Sequence, residues 1–122
     1  MTAKQIFDTM LALMFGVEDD AGDYEPFFLP TLNYIIAENY ARNNAIRILR
    51  GKQPHPKMPL IEKLTDEIDF EDEFTRQIIP MGCAGYIFMS DDKPIATAYK
   101  DKYEFERNQV FFAKYDEGNM NG

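Results

Sequence analysis

At 122 residues the chain is long enough for one domain with a real core and too short for two comfortable ones. Its 45% apolar content, with ten Phe and seven Tyr, excludes a disordered protein. A net charge of −8 argues against broad affinity for nucleic acid or anionic membranes, because the mean field repels phosphate.

Residues 3–15, "AKQIFDTMLALMF", read as a first helix. Thr2 can cap it, Ile6, Phe7, Met10, Leu11, Leu13 and Met14 make its apolar face, and Gly16 stands where a C-terminal cap belongs. An acidic loop, "VEDDAGD", follows. A longer helix runs from about Tyr24 to Arg50, with Leu32, Ile35, Ile36, Tyr40, Ile46 and Leu49 as its apolar stripe. Pro30 does not suit a helix interior, so the pattern predicts a break or kink near Phe28–Leu29. Arg47, Arg50 and Lys52 gather where positive charge favours the helix dipole, and Gly51 stops the helix.

"GKQPHPKMP" holds three prolines in six residues and reads as a linker between two helical halves. A third helix is expected from near Phe70 to about Met89, kinked at Pro80, which lacks a backbone donor and crowds the carbonyl of Arg76. Its Gly82, Ala84 and Gly85 are small enough to admit another helix closely. A last helix starts with Asp91 or Asp92 as cap and Pro94 in the first turn, and runs to about Tyr115. Residues 116–122 then form a flexible tail beyond a single helical domain, 1–115. No strand pattern stands out. The fold class is all-α, a small bundle of about four main helices.

The stretch "DEIDFEDEF" places six acids between Asp66 and Glu73. A calcium loop would need a glycine for its sharp turn, and 66–77 has none. Catalytic carboxylates need separation and a pocket that shifts one pKa. A helix start explains the residues more simply: Asp69 caps, Asp72 follows three positions on, Glu71 and Glu73 sit near the positive helix end, and the acids face water. Elsewhere, a triad would require the only His, His55, to meet the only Ser, Ser90. The single Cys83 sits among apolar neighbours and reads as an inert thiol. No cofactor or metal pattern is present, and the expectation is a protein without catalysis. No basic-then-apolar leader and no apolar run long enough to span a membrane is seen.

Charge is striped along the chain. Residues 41–63 carry six cations against Glu62 alone, and residues 64–92 carry eight acids against Arg76. These stripes can pair within one chain or head to tail between copies, and a heterologous contact of that kind closes into a ring. The last helix places Tyr99, Tyr103, Phe105, Phe111, Phe112 and Tyr115 close together. Tyr99, Tyr103 and Val110 can share a core face, whereas Phe105 and Phe112 point elsewhere: either both faces are buried in a small bundle, or the second is a docking surface for another chain.

The order of these elements, with "IDFEDEF" leading to "TRQIIPMGCAGYIF" and then "ATAYKDKYEFE", resembles the small α-helical head–tail connector (adaptor) proteins of tailed bacteriophages and prophages, over about residues 3–112. The resemblance implies a structural subunit of the virion, made in the bacterial host cytoplasm. Such subunits form a homo-oligomeric ring beneath the portal protein, extend the DNA channel and receive the next tail or connector component. DNA passes through without specific binding, which an acidic lumen suits. In that family the C-terminal region often engages the portal, so Phe105, Phe111, Phe112 and Tyr115 are the interface residues it implies. The other reading of the same residues is a small acidic binding module that docks one partner through the aromatic last helix. A metal-dependent enzyme using the acidic run is a third.

Overall fold

The computed structural model describes residues 1–14, 21–89 and 91–121, the stretch 111–121 by its backbone alone. Helix α1 is Ala3–Leu13, α2 is Ala21–Leu49, α3 is Ile79–Phe88 and α4 is Lys93–Asn121. A wide π turn, Phe74–Ile78, leads directly into α3. Among the described residues the only extended pairing is a single bridge between Thr2 and Glu67. The all-α bundle read from the sequence is therefore the observed architecture.

Thr2 caps α1, and Gln5 returns the bond: the Gln5 N–H donates to Thr2 Oγ1 at 3.2 Å and the Thr2 N–H to Gln5 Oε1 at 2.9 Å. Gly16 and residues 17–20 of the acidic loop after it lie outside the described residues, while Ala21, Gly22 and Asp23, read as the end of that loop, instead form the first turn of α2. Helix α2 runs from Ala21 to Leu49 through Pro26 and Pro30, so of the break or kink expected near Phe28–Leu29 the break does not occur. A proline inside a helix costs about 3 kcal/mol. Phe28 and Leu32, on either side of Pro30, are both fully buried, and each is worth about 1.5–3 kcal/mol against solvent. Phe28 also packs its ring 4.7 Å from that of Phe7. Core packing outweighs the proline, and both prolines sit on the exposed side, where a carbonyl left without a donor can turn to water.

Pro80 is handled differently. The Ile79 N–H reaches back five residues to the Phe74 carbonyl, so the ladder widens immediately before the proline and α3 starts afresh with Pro80 near its N-terminus. The irregularity expected there takes the form of this π turn. Helix α3 is buried on every side from Ile79 to Gly85, as suits the central helix of a bundle. It can occupy that place because Gly82 and Gly85 lack side chains. A Cβ on Gly82 would lie 2.8 Å from the Tyr103 ring, and one on Gly85 would lie 3.2 Å from the Lys100 backbone nitrogen. Helix α4 begins as expected, with the Asp92 carboxylate accepting from the Ile95 N–H at 3.2 Å. It remains helical to Asn121, past Tyr115. Residues 116–121 contain no proline, and Gly118 weakens a helix by only about 1 kcal/mol.

The segment 51–71 corrects a second expectation. It does not space two halves apart; it folds back along α2 as a strap. Asn33 holds the Ile61 backbone with two bonds of 2.9 Å, Tyr40 and Asn44 hold the carbonyl of His55, and Arg47 holds that of Gln53. Residues 33, 40, 44 and 47 fall on one helical face, and their partners run in the opposite direction along the strap. The chain start is stitched to the strap's far end: the Ala3 N–H donates to Asp66 O at 2.9 Å and the Ile68 N–H to Met1 O at 2.8 Å.

Candidate interaction surfaces

The acids of 66–73 do not act as one group. The Asp66 carboxylate accepts from the backbone N–H groups of Glu62 and Lys63 at 2.9 and 3.1 Å, bonds that hold its pKa below the usual range. Asp69, the expected cap, is exposed; its backbone carbonyl faces the His55 ring, and its carboxylate lies 3.9 Å from His55 Nε2 and 4.0 Å from Arg47. The cap position belongs to Glu71, whose carbonyl accepts from the Phe74 N–H at 2.9 Å and whose own N–H donates to Asn43 Oδ1 at 2.8 Å.

Glu71 also corrects the expectation that all these acids face water. Its side chain is only 4% exposed, with Arg50 and Lys52 each 3.0 Å away and Arg47 at 3.6 Å. Burial pushes its carboxyl pKa up, but the hydrogen bonds from Lys52 and Arg50 outweigh burial and leave it below the ordinary value. Arg50 further pairs with Glu73, and that bond raises the guanidinium pKa. The positive and negative stripes thus meet within one chain, where they fasten the strap to the end of α2. Among the described residues no three His, Cys, Asp or Glu side chains converge as metal ligands, and no helix is long and apolar enough to cross a membrane. Cys83 is fully buried, and burial pushes its thiol pKa far up. Ser90 lies outside the described residues.

A second polar network joins α2 to α4. The Tyr103 hydroxyl donates to Glu38 at 2.8 Å and accepts from Asn39 at 2.9 Å, while Arg107 reaches Asn39 Oδ1 at 3.0 Å and the Glu38 carbonyl at 2.6 Å. Burial first, and the Glu38 bond second, raise the Tyr103 phenol pKa. This network consumes Glu38, and Arg42 turns to Asn108 at 2.6 Å. Those two are the only charged residues of α2 between Pro26 and Ile46. The consequence is an outer face of α2 made of Phe27, Pro30, Tyr34, Ala37, Ala41 and Ile48, all exposed and none charged.

Beside that face lies a groove of about 510 Å³ between α2 and the end of α3, lined by Asp23, Tyr24, Phe27, Thr31, Tyr86, Ile87 and Asp91. An adjoining hollow is lined by Pro30, Thr31, Tyr34 and Tyr86, with the Tyr34 ring edge-on to Tyr86 at 5.2 Å, and Lys100 lies 4.8 Å over the Tyr86 ring. Phe27, in the groove, is 63% exposed. On the strap, Met58 and Leu60 stand out, Leu60 at 69% exposure. Of the docking residues expected on the last helix, Phe105 is 61% exposed, whereas Tyr99, Tyr103 and Val110 pack inward as expected. The side chains of Phe111, Phe112 and Tyr115 lie outside the described residues.

The sequence reading did not find the groove, the strap apex or Glu71. A signal for the first was present: residues 27, 30, 34, 37, 41 and 48 repeat at heptad-like steps without a charge, a pattern that a solvated helix face does not keep. No protein-family model matches the chain, and no curated protein and no solved structure shows significant similarity to it.

Proposed function

We propose that the chain is a structural subunit of a phage or prophage head–tail connector, assembling as a ring on the portal protein and extending the DNA channel, without catalysis or a cofactor. The observation that carries this reading is the uncharged outer face of α2 with its adjoining groove, uncovered in a chain that is otherwise rich in charge. A helix face of that kind needs a partner, because solvated faces carry charges and contiguous apolar surface marks interaction sites. The exposed Met58 and Leu60 lie on a different element, and a ring subunit requires two unlike faces, one for each neighbour. The order of helices that underlies the resemblance is also that of the fold, and the net charge of −8 suits a channel through which DNA must move without sticking.

Light scattering on the purified chain, alone and mixed with a portal protein from the same genome, tests the reading. A complex with many copies per portal supports it; a monomer that ignores the portal refutes it. That second result would favour a small acidic binding module, for which the exposed Phe105 on α4 is the supporting observation.

A further inference from the structure

Two uncovered patches on this chain differ from each other in complementary ways. The groove is concave and aromatic, lined by Tyr24, Phe27 and Tyr86 together with Asp23 and Asp91, and Tyr34 stands in an adjoining hollow that shares Thr31 and Tyr86. The strap apex is convex: Pro56, Lys57, Met58 and Leu60 are all exposed between the anchored backbone of His55 and that of Ile61. From this pairing we infer that the strap apex of one copy, Pro56 to Leu60, docks in the α2–α3 groove of the next copy. The inference rests on the ring reading above and assigns its two faces.

Proline-bearing extended segments seat well in aromatic-lined grooves, because the prolines have already restricted the backbone and little freedom remains to be lost. Here Pro54, Pro56 and Pro59 restrict the apex, and the side chains of Asn44, Tyr40 and Asn33 hold both of its ends. Charge selects the same partners. Lys57 is the only charged residue from Pro54 to Leu60, and the groove supplies Asp23 and Asp91. Two copies of a chain with net charge −8 repel over most approaches, so a contact that sets a lysine against two aspartates is favoured, although Lys100 over the Tyr86 ring adds a positive charge at that wall.

Within one chain the two sites lie on different sides of α2. Asn33 binds the strap, whereas Phe27 and Thr31, which line the groove, point roughly 120° and 160° round the helix from it. The apex, fixed at His55 and Ile61, faces away from the groove of its own chain. Each copy therefore offers an apex to one neighbour and a groove to the other, a heterologous contact that repeats around a ring.

Cysteine cross-linking of the full chain tests this, since the buried Cys83 stays silent. Tyr34→Cys and Leu60→Cys alter exposed positions, and their effect on the fold is checked by circular dichroism. The expected result is a ladder of trimers, tetramers and larger products from the oxidised double variant, with each single variant remaining uncross-linked. Dimers from Leu60→Cys alone or from Tyr34→Cys alone, with no ladder in the double variant, would overturn the inference in favour of a symmetric contact. In parallel, Lys57→Glu is expected to raise the concentration needed for assembly about tenfold, and adding Asp91→Lys to restore it. Assembly indifferent to Lys57→Glu and to Leu60→Asp overturns the docking and leaves the ring reading standing. A chain that stays monomeric with and without the portal protein overturns both.

Discussion

Replacing Glu71 by Gln keeps the shape of the side chain and removes its charge. Glu71 accepts from Arg50 and Lys52 at 3.0 Å, and Arg47 adds a third positive charge at 3.6 Å. Hydrogen bonds to a charged group are worth about 1.5–3 kcal/mol each and neutral ones about 0.5–1.5. Because the Lys52 side chain is 51% exposed, its share is small once water can replace the carboxylate. The expected loss is about 1–2 kcal/mol at pH 7, a drop in melting temperature of roughly 4–8 °C, read as parallel urea curves at unchanged slope. The pH dependence carries the sharper test. The folded carboxyl has a pKa below its unfolded value of about 4.3, so the unfolded chain takes up the proton first as pH falls. Its contribution is complete above that unfolded value and is lost as pH drops through the folded one. The gap between the parent chain and Glu71→Gln should therefore narrow between about pH 5 and pH 3. Asp66 shifts in the same direction in both proteins, so it cancels from the difference. No gap at pH 7, or a gap of the same size at pH 3, would refute the buried ion-pair account.

Gly82→Ala sets a helix-propensity gain of about 1 kcal/mol against overpacking of about 1–3 kcal/mol, because the new methyl meets the Tyr103 ring at 2.8 Å and Ile35 Cδ1 at 3.0 Å. A net loss is expected, smaller in a Tyr103→Leu background that removes the ring, and equal losses in the two backgrounds would show the contact to be irrelevant. Pro30→Ala restores a backbone donor inside α2 at an exposed position and should stabilise the chain by about 1–3 kcal/mol in urea titration. Pro30 lies on the uncharged α2 face beside the proposed docking groove, so the same variant should assemble less well than the parent while being more stable, and a variant improved in both would contradict a docking role for that face.

Much of the bundle was legible because its signals are local. Thr2 and Asp92 are capping residues at the start of apolar periodicity, and both cap. Gly82 and Gly85 marked a close approach, which Tyr103 and Lys100 make. What was not legible depends on partners far along the chain. Pro30 carries a local penalty that the burial of Phe28 and Leu32 overrides. Glu71 looks like its neighbours Asp69 and Asp72 until α2 brings Arg47 and Arg50 against it. The strap looks like a linker because its prolines exclude helix and sheet. What holds it is a set of side-chain bonds from Asn33, Tyr40, Asn44 and Arg47, spaced along a helix whose orientation sequence periodicity does not supply.

The same side chains connect folding to association. Holding the strap uses polar groups on one face of α2, and holding α4 uses Glu38, Asn39 and Arg42 on another. Once both faces are committed, Asn33, Glu38, Asn39, Arg42 and Asn44 are engaged within the chain, and the outer face from Phe27 to Ile48 is uncharged. The strap has the complementary condition. Its backbone is tied down at Gln53, His55 and Ile61, so its exposed side chains at Met58 and Leu60 are left standing outward on a fixed base. Internal hydrogen bonding thus determines where the apolar residues remain uncovered. A substitution that frees the strap, such as Asn33→Ala, would disturb the apex and spare the groove. If copies dock as proposed, strap anchoring and intersubunit contact would be coupled through the one helix that carries both.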